Sequence, residues 1–182
     1  MAQAGMTDPH DPSPTTTIVV MGVSGCGKST VMQALAGELG WPTAEADDFH
    51  SPANVAKMRS GTPLTDEDRG PWLAALAAWI GERERAGENA LVTCSALRRA
   101  YRDRLRRGHA SVWFAHLVVE RAVIADRLER RHGHYMPPAL LSSQLETLEP
   151  LEPDEPGAAI AADGATPEIV ADIRARLRKS RP

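Results

Sequence analysis

The sequence predicts an α/β domain built on a parallel sheet with helices on both faces. Three observations carry this expectation. The stretch "TTTIVVMGVSGCGKSTVMQALAGELG" sets a β-branched run, Ile18, Val19 and Val20, ahead of a glycine-rich turn. Apolar residues at helical spacing follow, Val31, Leu35 and Leu39. Short apolar runs then alternate with helical patterns along the rest of the chain. Finally, 182 residues suit one domain that closes a single core without staples.

The elements follow in order. After the first strand and helix, Gly40 is a helix stop, and residues 43–46 read as a weak strand. "SPANVAKM" reads as a short helix with Val55 and Met58 facing inward. Thr65 and Asp68 have capping-box spacing, and a helix is expected over 71–85, with Pro71 in its first turn and a core stripe of Trp72, Leu76 and Ile80. Strands are expected at 90–94, 112–119 and 158–161, with helices at 97–107, 121–131 and 167–179.

Composition excludes several classes. Residues 1–17 have neither a basic start nor an apolar middle and are proline-rich, so they read as a flexible tail rather than a secretory signal. No apolar run approaches the roughly 20 residues that span a bilayer. Two cysteines, Cys26 and Cys94, are too few for a disulfide framework and fit a reducing cytoplasm. A net charge of -3 argues against a dedicated nucleic-acid binder.

The strongest motif runs from Gly22 to Ser29, which fits G-x-x-x-x-G-K-[ST] between a strand and a helix. Such a P-loop turns its amides around phosphate oxygens at a helix N-terminus. Gly22, Ser24, Gly25, Cys26, Gly27 and Thr30 form the cradle, Lys28 reaches the β and γ phosphates, and Ser29 offers its hydroxyl to Mg2+. Cys26 is a small spacer whose thiol, at a helix start, is expected to have a lowered pKa and to be oxidisable.

Ligands of such sheets bind at the carboxyl ends of strands. Two further segments follow strands: "EADDFHS" at 45–51 and "SALRRAYRDRLRR" from Ser95. In the latter, Ser95 caps the helix, yet Arg98 stands where a capping box places Glu. Leu97, Tyr101 and Leu105 read as core; Arg98 and Arg102 form a parallel stripe suited to an anionic substrate, while Arg99, Arg106 and Arg107 read as a solvated face. Further on, Arg127 and Arg131 share a helical face, and "HGHYMPP" reads as a mobile flap, the lid spanning about 131–142. Arginines beside such a flap suit stabilisation of a transferring phosphate. His132 and His134 lack the companions of a metal site.

With these residues in view, the chain resembles the bacterial-type gluconokinases of the P-loop kinase superfamily. The matching stretches are "GVSGCGKST", "ADDFHSPANVAKMRSGTPLTDEDRGPWL", "CSALRRAYRDRLR", "RLERRHGHYM" and "SQLETLEPLE", running from about Ile18 to the last helix. The resemblance implies a P-loop NTPase fold, α/β with five parallel strands and a lid. It implies ATP-dependent phosphorylation of D-gluconate at its terminal hydroxyl, Mg2+ as cofactor, and a homodimer. Related sequences usually begin the acidic run Asp-x-Asp, whereas Glu45-Ala46-Asp47 stands here, so whether Glu45 takes the outer-shell contact to Mg2+ through water stays open.

Roles follow. Asp47 is the carboxylate that takes up the acceptor's proton or positions its hydroxyl. Asp48 points elsewhere if the backbone is extended. For His50, a contact to a sugar hydroxyl and a cap on the following helix both stay open. Arg69 joins the substrate site by resemblance, with Lys57 a weaker member and Ser95 beside them; Arg98 and Arg102 complete the carboxylate site. Adenine is expected between the helix of Arg127 and the loop "AADGATP". The remaining alternatives are another small hydroxy acid, such as shikimate, as acceptor, or a slow ATPase that acts through a partner.

Overall fold

The computed structural model describes residues 14–130 and 138–180. The strands are β1 (Thr17–Met21), β2 (Thr43–Glu45), β3 (Ala90–Cys94), β4 (Val112–Val118) and β5 (Gly157–Ala161). They form one sheet in the order β2-β3-β1-β4-β5, every neighbouring pair parallel. The helices are α1 (Lys28–Leu39), α2 (Pro52–Arg59), α3 (Asp66–Arg85), α4 (Arg99–Arg106), α5 (Arg121–Arg130), α6 (Pro138–Thr147) and α7 (Thr166–Ser180). Among the described residues, no helix is long and apolar enough to cross a membrane.

Strand alternation splits the core between the two faces. Ile18 and Val20 of β1 join α1, α5, α6 and α7 through Leu35, Ile124, Leu141 and Ile169. Val19 and Met21 point to the other face, against Trp72, Leu76 and Ile80 of α3 and Tyr101 and Leu105 of α4. Leu35, Leu76 and Ile80 are fully buried. Cutting any of them to alanine costs about 2–5 kcal/mol. Met21 pairs with both Cys94 and His116, so β1 sits centrally with its carboxyl end level with its neighbours. The crevice above β1 is where such sheets bind ligands.

Most expected elements stand where the pattern puts them, and Gly40 closes α1 in the left-handed conformation, φ 67°. Six details differ. Thr16 and Thr17, assigned to the tail, are buried; Thr17 opens β1 and Thr16 bonds Asn89 and Ala90. The other tail residues that fall at 1–13 lie outside the described residues. Helix α3 starts at Asp66, five residues before Pro71, because Thr65 and Asp68 complete a reciprocal capping box there. Pro71 is carried inside the helix.

The acidic run is not extended beyond Glu45: Ala46–Phe49 form a turn of 3-10 helix, which removes the alternation argued for Asp47 and Asp48. Met58 is exposed, and Asn54 is the buried residue of α2, its amide donating to the Asp68 carbonyl at 2.9 Å. Helix α4 starts at Arg99, after Ala96 turns the chain at φ 43°, so Ser95 is not its cap. Glu149 supplies the missing acid instead, accepting the Arg99 N–H at 2.6 Å. Last, residues 138–142, assigned to the lid, begin α6, whose Leu141 is core.

Candidate active site

The P-loop follows β1 directly. Gly22 (φ 143°) and Gly25 (φ 83°) lie in the region that side chains avoid. A Cβ on Gly22 would come within 2.8 Å of Cys26 Sγ, and one on Gly25 within 3.0 Å of Ile124 and Leu128. The glycines are therefore required both for the turn and for close packing beneath it. Lys28 opens α1 and donates to the carbonyls of Gly22 and Val23, both at 3.1 Å, which holds its ammonium over the loop. Ser29 and Thr30 occupy the next two positions of that helix.

Cys26 is buried, and burial pushes its thiol pKa up despite the nearby charges of Lys28 and Arg127. This overturns the expectation of a reactive thiolate. Cys94 is likewise pushed up, to about 12, by complete burial.

Arg127 reaches from α5 to the carbonyls of Cys26 (3.2 Å) and Ala162 (2.9 Å). It thereby closes one side of a cavity of about 290 Å3 lined by Gly25, Gly27, Thr30, Gly164 and Thr166. This is the place expected for adenine. Arg131, His132 and His134 lie outside the described residues.

The acidic side of the site stands at the ends of β2 and β3. Asp47 is exposed, and its charge acts on both His50 and Cys94, while Lys28 acts on Cys94 from the loop. Glu45 accepts a hydrogen bond from Thr93 of β3, so its carboxylate is anchored at the strand end. His50 stacks on Trp72, ring centroids 4.3 Å apart, and Trp72 Nε1 donates to the Ala46 carbonyl at 2.6 Å. Burial lowers the His50 pKa, with Asp47 opposing and Arg69 reinforcing, so the imidazole is neutral near pH 7. Its Nδ1 is buried without a hydrogen-bond partner among the described residues. The N-cap of α2 is Ser51, not His50, which removes the capping alternative.

Beyond His50 lies a cationic group around Tyr101. Arg69 and Arg98 approach its ring at 5.4 and 5.9 Å, and its hydroxyl donates to Asp66 at 2.5 Å. Asp66 in turn lies 3.4 Å from Arg98 and 3.8 Å from Arg69. The Tyr101 hydrogen bond, then the two arginines, hold the Asp66 carboxyl below its usual range. Sequence reasoning found both arginines but took Tyr101 for core alone and gave Asp66 no role; its partner Tyr101 lies 35 residues away, beyond any local pattern.

Two predicted substrate residues are spoken for elsewhere. Arg102 is fully buried, paired with Glu155 and surrounded by carbonyls, so it meets no substrate. Lys57 is bound to both oxygens of Asp68, at 2.7 and 2.8 Å. Ser95 stays at the strand end, where its carbonyl accepts the Gly22 N–H at 3.3 Å. Gln144, which lies in the matching stretch "SQLETLEPLE" but was given no role of its own, accepts the Ser24 N–H at 2.8 Å.

A five-stranded parallel sheet, a lysine-bearing phosphate loop at its centre and an acid beside it define a kinase of the P-loop fold. A protein-family model for an AAA domain matches residues 18–151. The chain is 54% identical over 132 residues to a gluconokinase of Gluconobacter oxydans (strain 621H), covering 72% of this chain and 74% of that one. It is 40% identical over 175 residues to a probable gluconokinase of Xenopus tropicalis, covering 88% and 92%. A crystal structure of a gluconokinase from Sinorhizobium meliloti 1021 superposes with a TM-score of 0.80 at 46% identity, covering 91% and 93%. The chain belongs to the gluconokinase family.

Proposed function

We propose that this protein transfers the γ-phosphoryl group of ATP to the terminal hydroxyl of D-gluconate, releasing 6-phospho-D-gluconate and ADP. The observation that carries the reading is two groups of different chemistry. Lys28 stands over the phosphate loop after β1 and Asp47 lies in the turn after β2, while Arg69 and Arg98 gather around Tyr101. The first suits phosphate and an acceptor hydroxyl, the second suits a carboxylate, and gluconate carries its carboxylate and its primary hydroxyl at opposite ends.

In this arrangement Arg69 and Arg98 hold the substrate carboxylate, and the orphaned Nδ1 of His50 bonds a hydroxyl along the chain. Asp47 orients the terminal hydroxyl in line with the γ-phosphorus and accepts its proton as the new P–O bond forms and the bond to ADP breaks. Lys28, released from the Gly22 and Val23 carbonyls, neutralises charge on the β and γ oxygens. Arg127 holds the nucleotide side, and Arg131 is assigned to the same phosphate charge.

Among the described residues, no three His, Cys, Asp or Glu side chains gather as a metal cage. The donors present, the Ser29 hydroxyl behind the phosphate loop and the Glu45 carboxylate anchored at the end of β2, are hard oxygens that fit Mg2+, which keeps water and phosphate oxygens and takes few protein ligands. Ser29 would hold the ion by its hydroxyl and Glu45 would meet its water shell; when bound, Mg2+ supplies charge neutralisation to the phosphates. The reading extends to one kinase domain over 18–182 with a lid near 131–142, working as a cytoplasmic homodimer; these expectations rest on the family resemblance.

The test is product identity. Phosphorus NMR of a reaction with ATP, Mg2+ and gluconate should show a phosphomonoester split by two equivalent-carbon protons of a CH2 group. A phosphate on a secondary carbon, or none, would contradict the reading.

A further inference from the structure

Helix α6 is fixed by an apolar stripe: Leu141 is core, and Leu145 and Leu148 pack against it. Gln144 lies three residues after Leu141 and four before Leu148, beside that stripe, so its position is set by packing rather than by a loop. From there its side-chain carbonyl accepts the backbone N–H of Ser24 at 2.8 Å. A backbone N–H bonds only the oxygen end of a primary amide, so the orientation of this amide is determined and its NH2 carries two further donors. No acceptor among the described residues engages them. Ser24 itself lies between Gly22 and Gly25, in the segment whose amides face phosphate.

We propose that Gln144 contacts the transferred phosphoryl group: its carbonyl holds the Ser24 segment of the loop, and its NH2 donates to an oxygen of the ATP γ-phosphate. The inference rests on the kinase reading above and adds to it a neutral donor from α6, outside the glycine loop and the arginine sites. A fixed donor at that oxygen gains strength as charge shifts during transfer.

The test compares Gln144→Glu with Gln144→Ala in the full chain, with Mg2+ present. Glu keeps an acceptor for Ser24 but sets negative charge against the phosphate; Ala removes both contacts. Calorimetry would measure ADP and the non-hydrolysable analogue AMP-PNP, beside thermal midpoints and gluconate-dependent kcat. In Gln144→Glu, AMP-PNP should bind at least about tenfold more weakly, ADP within about twofold of the unmodified protein, and kcat should fall about 100-fold at an unchanged midpoint. Gln144→Ala should shift the same AMP-PNP to ADP ratio in the same direction. An unaltered ratio in the folded variants, or equal weakening of both nucleotides, would show a loop-supporting role only and overturn the proposal. Failure of the unmodified protein to bind either nucleotide would instead remove the kinase reading and this inference with it.

Discussion

Arg102 and Glu155, 53 residues apart in the chain, meet as a fully buried ion pair with Nε–Oε1 and Nη2–Oε2 distances of 2.6 and 2.8 Å. Carbonyls of Ala96, Glu149 and Pro150 take the remaining guanidinium protons. Burial pushes the Glu155 carboxyl up, but the Arg102 hydrogen bonds and charge outweigh it and leave the carboxyl lowered overall. The pair locks the segment between α6 and β5 onto α4 and thereby sets the loop that precedes Arg98.

Removing one member of such a pair strands the other charge. Arg102→Ala should cost about 3–5 kcal/mol. Its thermal midpoint should fall by roughly 6–20 °C. Scanning calorimetry checks this; an unchanged midpoint with a raised gluconate KM would restore the anion-binding role the sequence suggested.

Asp47 stands apart from this scaffold, exposed in the 3-10 turn that follows β2. Asp47→Asn keeps the shape and removes the carboxylate proposed to accept the proton. Turnover should fall about 100-fold or more, while the Kd for ADP stays within about twofold. Steady-state kinetics with a parallel nucleotide titration separates the two effects, and near-normal turnover would end the assigned role.

Arg98 is half exposed, and among the described residues its side chain is held by Asp66 and the Tyr101 ring, so its loss should leave the fold intact. Arg98→Ala should raise the gluconate KM about tenfold or more with a smaller change in kcat, since a bound carboxylate loses a charged partner in ground and transition states alike. A KM for ATP that rose instead would place Arg98 on the nucleotide.

Asp68 links α2 to α3, and hydrogen bonds from Lys57 first, then Thr65, lower its pKa from 3.8 to about 2. A carboxylate whose folded pKa is depressed adds stability above its unfolded pKa and loses it as pH falls through the folded value. Thermal midpoints should therefore decline between pH 4 and pH 2, and Asp68→Asn should flatten that limb. An identical acid limb in both proteins would show that this carboxylate does not contribute.

The phosphate loop was legible because its chemistry is local: eight consecutive residues define it, and their glycines are demanded by backbone angles of the loop itself. Strands and helices were legible for the same reason, through apolar runs and caps. Arg102 was misread because its partner, Glu155, lies 53 residues away and no local pattern announces it. The same holds for Glu149, which caps α4 across 50 residues and resolves the apparent conflict of cations at that helix start. Gln144 lay in a stretch that carries the resemblance, yet its own role was not legible because a single polar residue beside a leucine stripe looks like any solvated helix position. Asp47 and Asp48 were separated by a strand argument, whereas both belong to a 3-10 turn, so their difference rests on what each faces rather than on alternation.

The central claim is that the anion site at Arg69 and Arg98 and the acid at Asp47 select gluconate as acceptor. ADP release measured with ATP and Mg2+ across gluconate, other sugar acids and shikimate tests it most directly. The account predicts that kcat/KM for gluconate exceeds that of every other acid in the panel by about tenfold or more, because a misplaced hydroxyl leaves Asp47 unpaired. Equal rates across the panel, or ADP release indifferent to any acid, would contradict it.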